Sequence, residues 1–409
     1  MTARDQPAPL VIALAGAVAL AVAMGLGRFA FTPLLPMMLH DGVVDLHAAS
    51  WLASANYLGY LAGALLCTFQ PWIAARAPRL PAANGPWLLR AGLVATGVLT
   101  LGMALPLPAT WPLLRFAAGV ASAVVFVYTS GWCLAQLARR NAAALGGVMY
   151  TGPGAGIVAS GLFASAMVQW QWRAATGWAI FGVLAFMLTA SVWRVFSSGV
   201  EAPSPAAPVA ASEPRGQRHG RTEIALLAFA YGGAGFGYIV TATFLPVIAR
   251  AALPGSPWLD LFWPIFGLGV ITGALLSSRL RGARDLRLLL AASYLVQALG
   301  IAIGIHWPTL AGFAIGSLLL GIPFTAITFF AMQEVRRLRP ALAASFMGLL
   351  TALYGIGQIV GPPLVAVLLQ QSTSAAAGFT LSLEVAMSAL LLGAAIYISM
   401  WRIFPMRPG

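Results

Sequence analysis

Arg28 is the residue whose chemistry has to be accounted for first. It lies in Gly25 to Pro36, GLGRFAFTPLLP, inside an apolar run otherwise long enough to cross a bilayer. A charge in hydrocarbon costs at least ~2.5 to 3.5 kcal/mol on insertion scales, so it faces a protein interior or a watery cavity. Guanidinium stays charged and presents a fixed fork of donors, which suits a carboxylate or another anionic group. Gly25 and Gly27 let a neighbouring backbone come close, and Pro33 and Pro36 are expected to bend or break the helix just beyond the arginine. Other titratable groups are few. Glu384 is the one acid well inside a predicted span, with a surface-facing position as its competing reading, and Asp260 opens another span. These two are the candidates for carrying a proton, which needs a group that changes charge within the protein. Asp41, Asp45, His40 and His47 crowd a single loop, and with only four histidines in the chain no metal site is expected. No acid, histidine and nucleophile cluster as an enzyme would need, no GxxxxGK[ST] run is present, and no cofactor is expected.

The elements that must hold Arg28 follow from composition. With 60% hydrophobic and 8% charged residues, the chain is an all-α integral membrane protein. Spans of ~20 apolar residues are predicted at 10–38, 50–72, 88–107, 111–137, 144–168, 174–195, 223–249, 258–278, 287–306, 309–332, 342–369 and 379–401. The first continues through Arg28 to Met38 without a polar mature start, so it reads as a retained helix and not a signal peptide. Residues 1–196 form a first six-helix bundle, 197–222 a flexible linker rich in proline, alanine and serine, and 223–409 a second bundle. The net charge of +13 does not point to nucleic acid. Every arginine except Arg28, Arg115, Arg173 and Arg250 falls at one set of helix ends, the positive-inside pattern of a multi-pass protein with both termini cytoplasmic. Arg215, Arg218, His219 and Arg221 close the linker as membrane-surface anchors, and Cys67 and Cys133 lie in spans as free packing residues.

The halves repeat at an offset of 210 residues. Gly25, Gly27, Leu35 and Pro36 match Gly235, Gly237, Leu245 and Pro246, and Gly59, Gly63, Ala64, Leu65 and Leu66 match Gly269, Gly273, Ala274, Leu275 and Leu276. Two pseudo-symmetric six-helix bundles of the same orientation follow.

With these features the chain resembles the major facilitator superfamily over essentially its whole length, and GLGRFAFTPLLP is similar to the opening signature of its YbfB/YjiJ-type bacterial branch. The fourth span, LLRFAAGVASA, resembles the superfamily motif of an arginine followed by a glycine, here Arg115 and Gly119. In the family that arginine reaches toward the first helix; snorkelling of Arg115 to the surface is the alternative. GGVMYTGPGAGIVASG in the fifth span looks like the glycine-proline motif, at Gly152, Pro153 and Gly156, and is expected to slide against a partner such as the eighth helix. The loop after the second span departs from the family's acid-bearing pattern: QPWIAARAPRLPAANGPWLLR has no acid, whereas SSRLRGARDLR in the second half keeps Asp285.

The resemblance implies a site between the bundles lined by polar residues of the first, fourth, seventh and tenth helices: Arg28 and Thr32; Tyr128 and Thr129; Tyr231, Tyr238 and Thr241; Thr325 and Thr328. Asn56, Tyr57, Tyr150, Tyr354 and Gln358 are added from the second, fifth and eleventh, and Tyr238 is the repeat equivalent of Arg28, expected to face it. The expected function is secondary, proton-coupled transport of a small solute, an organic anion or polar metabolite. Drug exporters for cations tend to carry an acid in helix 1 where this chain has Arg28. A proton-coupled multidrug exporter and a non-transporting receptor on the same fold are the alternatives. The expected partners are the substrate, protons and the bilayer, with no obligate protein partner.

Overall fold

The computed structural model describes residues 7–76, 85–197, 219–256, 258–280, 285–339 and 343–405. Twelve helical rods run back and forth: α1 (Pro9–His40), α2 (Leu46–Arg76), α3 (Gly85–Gly102), α4 (Trp111–Arg139), α5 (Gly146–Met149 and Gly152–Gln169), α6 (Ala174–Val192), α7 (His219–Ala252), α8 (Phe262–Arg279), α9 (Leu286–His306), α10 (Leu310–Leu338), α11 (Ala343–Gln371) and α12 (Ala375–Ile403). Among the described residues eleven rods are long and apolar enough to cross a membrane. The twelfth, α3, has 18 residues and carries Arg90 with Thr96 and Thr100. The expected fold, twelve helices in two six-helix bundles, is the one observed. Pro9 and Ile403 lie on one face, called here the terminal face; the other is the distal face.

Two boundaries differ from expectation in a way that matters. α7 begins at His219, inside the predicted linker, and α10 runs on to Leu338, past the predicted limit of 332. Hydrophobicity marks where a helix leaves hydrocarbon, whereas its hydrogen-bonded ladder runs on into the interface. Glu334 is helical as a result, and Glu223 lies a turn inside α7 instead of at its first residue. The linker interior, 198–218, lies outside the described residues with Arg215 and Arg218, as do 77–84 and 281–284 of the two loops.

The repeat is visible in the packing. A Cβ at Gly59 or Gly63 of α2 would strike the α4 backbone at Phe116 and Val120; one at Gly269 or Gly273 of α8 would strike the α10 backbone at Leu318 and Ile322. Gly25 of α1 meets Gly156 of α5, and its equivalent Gly235 of α7 meets Tyr354 of α11. Small residues set these helices close because lipid offers no hydrophobic drive for helix association and van der Waals contact must supply it. The halves touch through α2 with α11, α5 with α8 and α1 with α7. At the last of these, Thr32 Oγ1 donates to the carbonyl of Ala242 at 3.0 Å, 210 residues away. Repeat equivalents meet only beside the pseudo-twofold axis, so that axis passes here.

The distal side of this seam is sealed. Tyr57 Oη and Thr243 Oγ1 are 2.9 Å apart, and Ser54 Oγ donates to the Ile359 carbonyl at 2.8 Å. Val22 to Met38 of α1 and Gly237 to Phe244 of α7 are buried throughout, whereas Ala17, Val18, Gly232 and Gly233, nearer the terminal face, keep partial exposure.

Candidate functional site

Arg28 is held by an irregular stretch of α1. Ala21–Phe29 winds as a π-helix before α-helical geometry resumes at Phe31. The irregularity therefore contains the arginine and ends just after it, where a bend at Pro33 and Pro36 beyond it is the expectation from sequence; the helix runs through Pro36. The reason is local. In the wider register the carbonyl of Arg28 would need the amide of residue 33, and Pro33 has none. Arg115 of α4 supplies the donors instead, with Nη1 on the Gly27 carbonyl and Nη2 on the Arg28 carbonyl, each at 3.2 Å. Arg115 is 2% exposed. It reaches α1 as the resemblance implied and does not snorkel.

The Arg28 side chain, 3% exposed, crosses the seam: Nη2 donates to Gln358 Oε1 of α11 at 2.7 Å. The Gln358 amide in turn donates to the hydroxyl of Tyr238 on α7. Arg28 and its repeat equivalent are thus joined through one amide. Aromatic rings cover the guanidinium, Tyr60 at 4.0 Å, Tyr57 at 5.2 Å and Phe29 at 5.4 Å from Cζ to ring centroid. Its Nε is buried without a hydrogen-bond partner. Among the described residues no carboxylate lies within ion-pair distance of Arg28 or Arg115.

Rings continue from this point along the C-terminal half. Tyr238 stacks on Tyr354 with centroids 5.8 Å apart, and Tyr354 lies 4.8 Å from Tyr231, whose hydroxyl donates to Thr328 at 3.0 Å. Phe324 meets Tyr238 edge-on at 5.0 Å and Phe29 at 6.2 Å. Thr325 Oγ1 is buried nearby in sequence without a partner.

Of the candidates from sequence, Arg28, Gln358, Tyr238, Tyr354 and Tyr231 converge. Thr32 and Tyr57 spend their hydroxyls across the distal seam, and Asn56 donates to the Arg115 carbonyl at 2.9 Å. Thr129 Oγ1 and Thr241 Oγ1 are buried without hydrogen-bond partners, and Tyr128 and Tyr150 are half-buried on α4 and at the α5 break. Sequence reasoning passed over Tyr60 and Phe324. Tyr60 was findable, because it lies three residues from Tyr57 on one helical face; a phenylalanine in an apolar helix carries no such mark.

The α5 glycines divide. A Cβ at Gly152 would strike Ala17 of α1 and one at Gly156 would lie 2.6 Å from the Gly25 Cα, so both pack within the first half and not against α8 as expected. Gly154 and Gly161 face α8, with a Cβ 2.8 Å from the Gly267 carbonyl and 2.6 Å from Pro264. About half a helical turn separates the two sets, so they point in opposite directions, and which set meets which partner is known only once the helices are placed. Gly119 packs on the α2 backbone at Asn56, Gly27 on Thr96, and Gly237 on Leu390.

A family described as the uncharacterised MFS-type transporter YbfB matches residues 20–398. The chain belongs to that family. The fold agrees: the crystal structure of a point mutant of the nucleoside transporter NupG superposes with a TM-score of 0.72 over 95% of this chain and 100% of that one, at 14% identity. No curated protein matches the chain in sequence. This MFS-type transporter is a multi-pass membrane protein.

Its other buried charges lie at the ends of the rods. Arg287 of α9 is fully buried at the terminal face. It donates to Asp285 at 2.8 and 3.0 Å, to Glu223 of α7 at 3.2 Å, and to the carbonyls of Met400 and Phe404 at 3.0 and 2.8 Å. Glu334 of α10, also fully buried, pairs with Arg337 at 2.5 Å and lies 3.9 Å from Arg287. Asp285 caps α9 by accepting from the Arg287 amide. Burial pushes its carboxyl up, but the hydrogen bonds and charge of Arg287 prevail and hold it below its ordinary value. Glu384 is exposed on α12, and Asp260 pairs with Arg250 at 2.5 Å near the distal face, so neither proton candidate stands beside Arg28.

Proposed function

We propose that this transporter carries a small organic anion or polar metabolite across the bacterial inner membrane by alternating access, coupled to protons, and is not an enzyme. The observation that carries the reading is Arg28: a buried guanidinium, at the junction of two rocking halves, whose hydrogen-bond partner is a neutral amide. A substrate anion completes the charge balance. Gln358 holds the fork of donors in place until a carboxylate replaces it, and breaking that bond frees one link between α1 and α11. The sealed distal seam and the partial exposure toward the terminal face support an inward-facing state, with the arginine-rich face cytoplasmic. Proton coupling rests on the resemblance of α5 to exporters that exchange substrate for protons. On this reading Glu384→Gln leaves proton dependence unchanged.

The test is a thermal-shift screen of the purified protein against matched anionic, neutral and cationic metabolites, with Arg28→Ala alongside. A ligand at ~100 times its dissociation constant adds about 2.7 kcal/mol of apparent stability. Stabilisation by anions that vanishes in the variant is expected. Stabilisation by lipophilic cations retained in the variant would make Arg28 structural and overturn the anion assignment.

A further inference from the structure

We infer that the substrate anion has a planar, conjugated body: an aromatic or unsaturated carboxylate with at most one further polar group. The inference rests on the anion reading and narrows it. Three rings lie within 5.4 Å of the Arg28 Cζ, Tyr60 closest at 4.0 Å, and Gln358 holds Nη2, so a carboxylate reaches the guanidinium where Gln358 now sits. Its body then extends toward Tyr60, Tyr354 and Phe324. These three stay half-buried although each packs on buried central groups, so each keeps surface that the protein does not cover. All three are aromatic. The hydroxyl of Tyr231 is spent on Thr328 and that of Tyr238 accepts from Gln358, so a polyhydroxylated anion would find few partners and strand its own hydroxyls. Thr325 Oγ1, buried and unpartnered, is a hydrogen-bonding group left for one polar substituent. A flat body slides between offset rings that a saturated, puckered one of equal size cannot stack on.

The experiment measures binding of benzoate, cyclohexanecarboxylate, gluconate and benzamide to the purified full-length protein by calorimetry, for the wild type, Arg28→Ala, Tyr354→Leu and Tyr354→Phe. Benzoate is expected to bind at least roughly fivefold more tightly than cyclohexanecarboxylate, from the worth of one aromatic contact, with gluconate weaker still. Tyr354→Leu should erase that preference and Tyr354→Phe, which keeps the ring, should restore it. Arg28→Ala should abolish binding of all three carboxylates. Equal, Arg28-dependent binding of benzoate, cyclohexanecarboxylate and gluconate would overturn the planar body and leave the anion reading standing. Benzamide binding as tightly as benzoate and surviving Arg28→Ala would overturn the anion reading. Failure of every carboxylate to bind folded protein would overturn both.

Discussion

Burying Arg28 is tolerable because its charge is spread over contacts that water need not supply. Insertion of an arginine costs at least ~2.5 to 3.5 kcal/mol, and a desolvated cation–π contact returns roughly 2 kcal/mol, so rings at 4.0 to 5.4 Å offset much of it. What they do not supply is an opposite charge. Gln358→Glu would place a carboxylate 2.7 Å from the guanidinium. The expected result is a higher melting temperature together with anion affinity at least about tenfold weaker, equivalent to 1.4 kcal/mol; calorimetry and a melting curve on one preparation read both. Arg28→Lys keeps the charge and loses the fork, so it too should weaken binding, whereas an unchanged affinity would show that bidentate geometry is not used.

Among the elements, α5 shows how neighbouring glycines serve different interfaces. Gly156→Leu drives a side chain into the Gly25 backbone within one bundle, and overpacking of that kind costs typically ~1 to 3 kcal/mol or more. The expected loss is in folded, monodisperse protein. Gly154→Leu strikes α8 across the seam instead, so it should assemble and transport slowly; normal flux in proteoliposomes would show that α5 and α8 need no close approach. The rod ends of the second half are tied by Arg287. Removing it leaves Glu223, Asp285 and Glu334 with less compensation, and breaking a buried pair costs ~3 to 5 kcal/mol. Asp285, held below its ordinary value of 3.8, contributes stability that is present above that pH and lost as pH falls through its lowered value. The stability gap between wild type and Asp285→Asn should therefore be full at neutral pH and close on acidification below 3.8; a gap independent of pH would mean the carboxylate charge is not what Arg287 uses.

For the whole molecule, the contact between Thr32 and Ala242 fixes the relation of the halves. Since these equivalents meet beside the pseudo-twofold axis, a cysteine pair at 32 and 242, with Cys67 and Cys133 replaced by serine, should oxidise readily and stop transport by locking the distal seam. Absence of a crosslink in native membranes would show that the resting protein opens on the distal side. The asymmetry of the terminal face is also a property of the assembly. The second half closes its rod ends with Arg287 and three acids, while in the first Arg90 donates to the Trp193 carbonyl at 3.1 Å and lies against the Trp193 ring at 4.8 Å. That contrast follows the missing acid between α2 and α3.

Span count, the repeat and the arginine-rich face were legible in the chain because each depends on local hydrophobicity or on residue type at a fixed offset. Arg28 stood out for the same reason, as a charge no lipid-facing helix tolerates. Tertiary structure alone decided that Gln358, 330 residues away, would be its partner, that Thr32 would turn to the opposite half, and that Gly152 and Gly156 would face α1. In a membrane the lipid-facing and the buried sides of a helix are both apolar, so no periodicity tells which side turns inward. That choice is made when the helices pack, and the site is made with it.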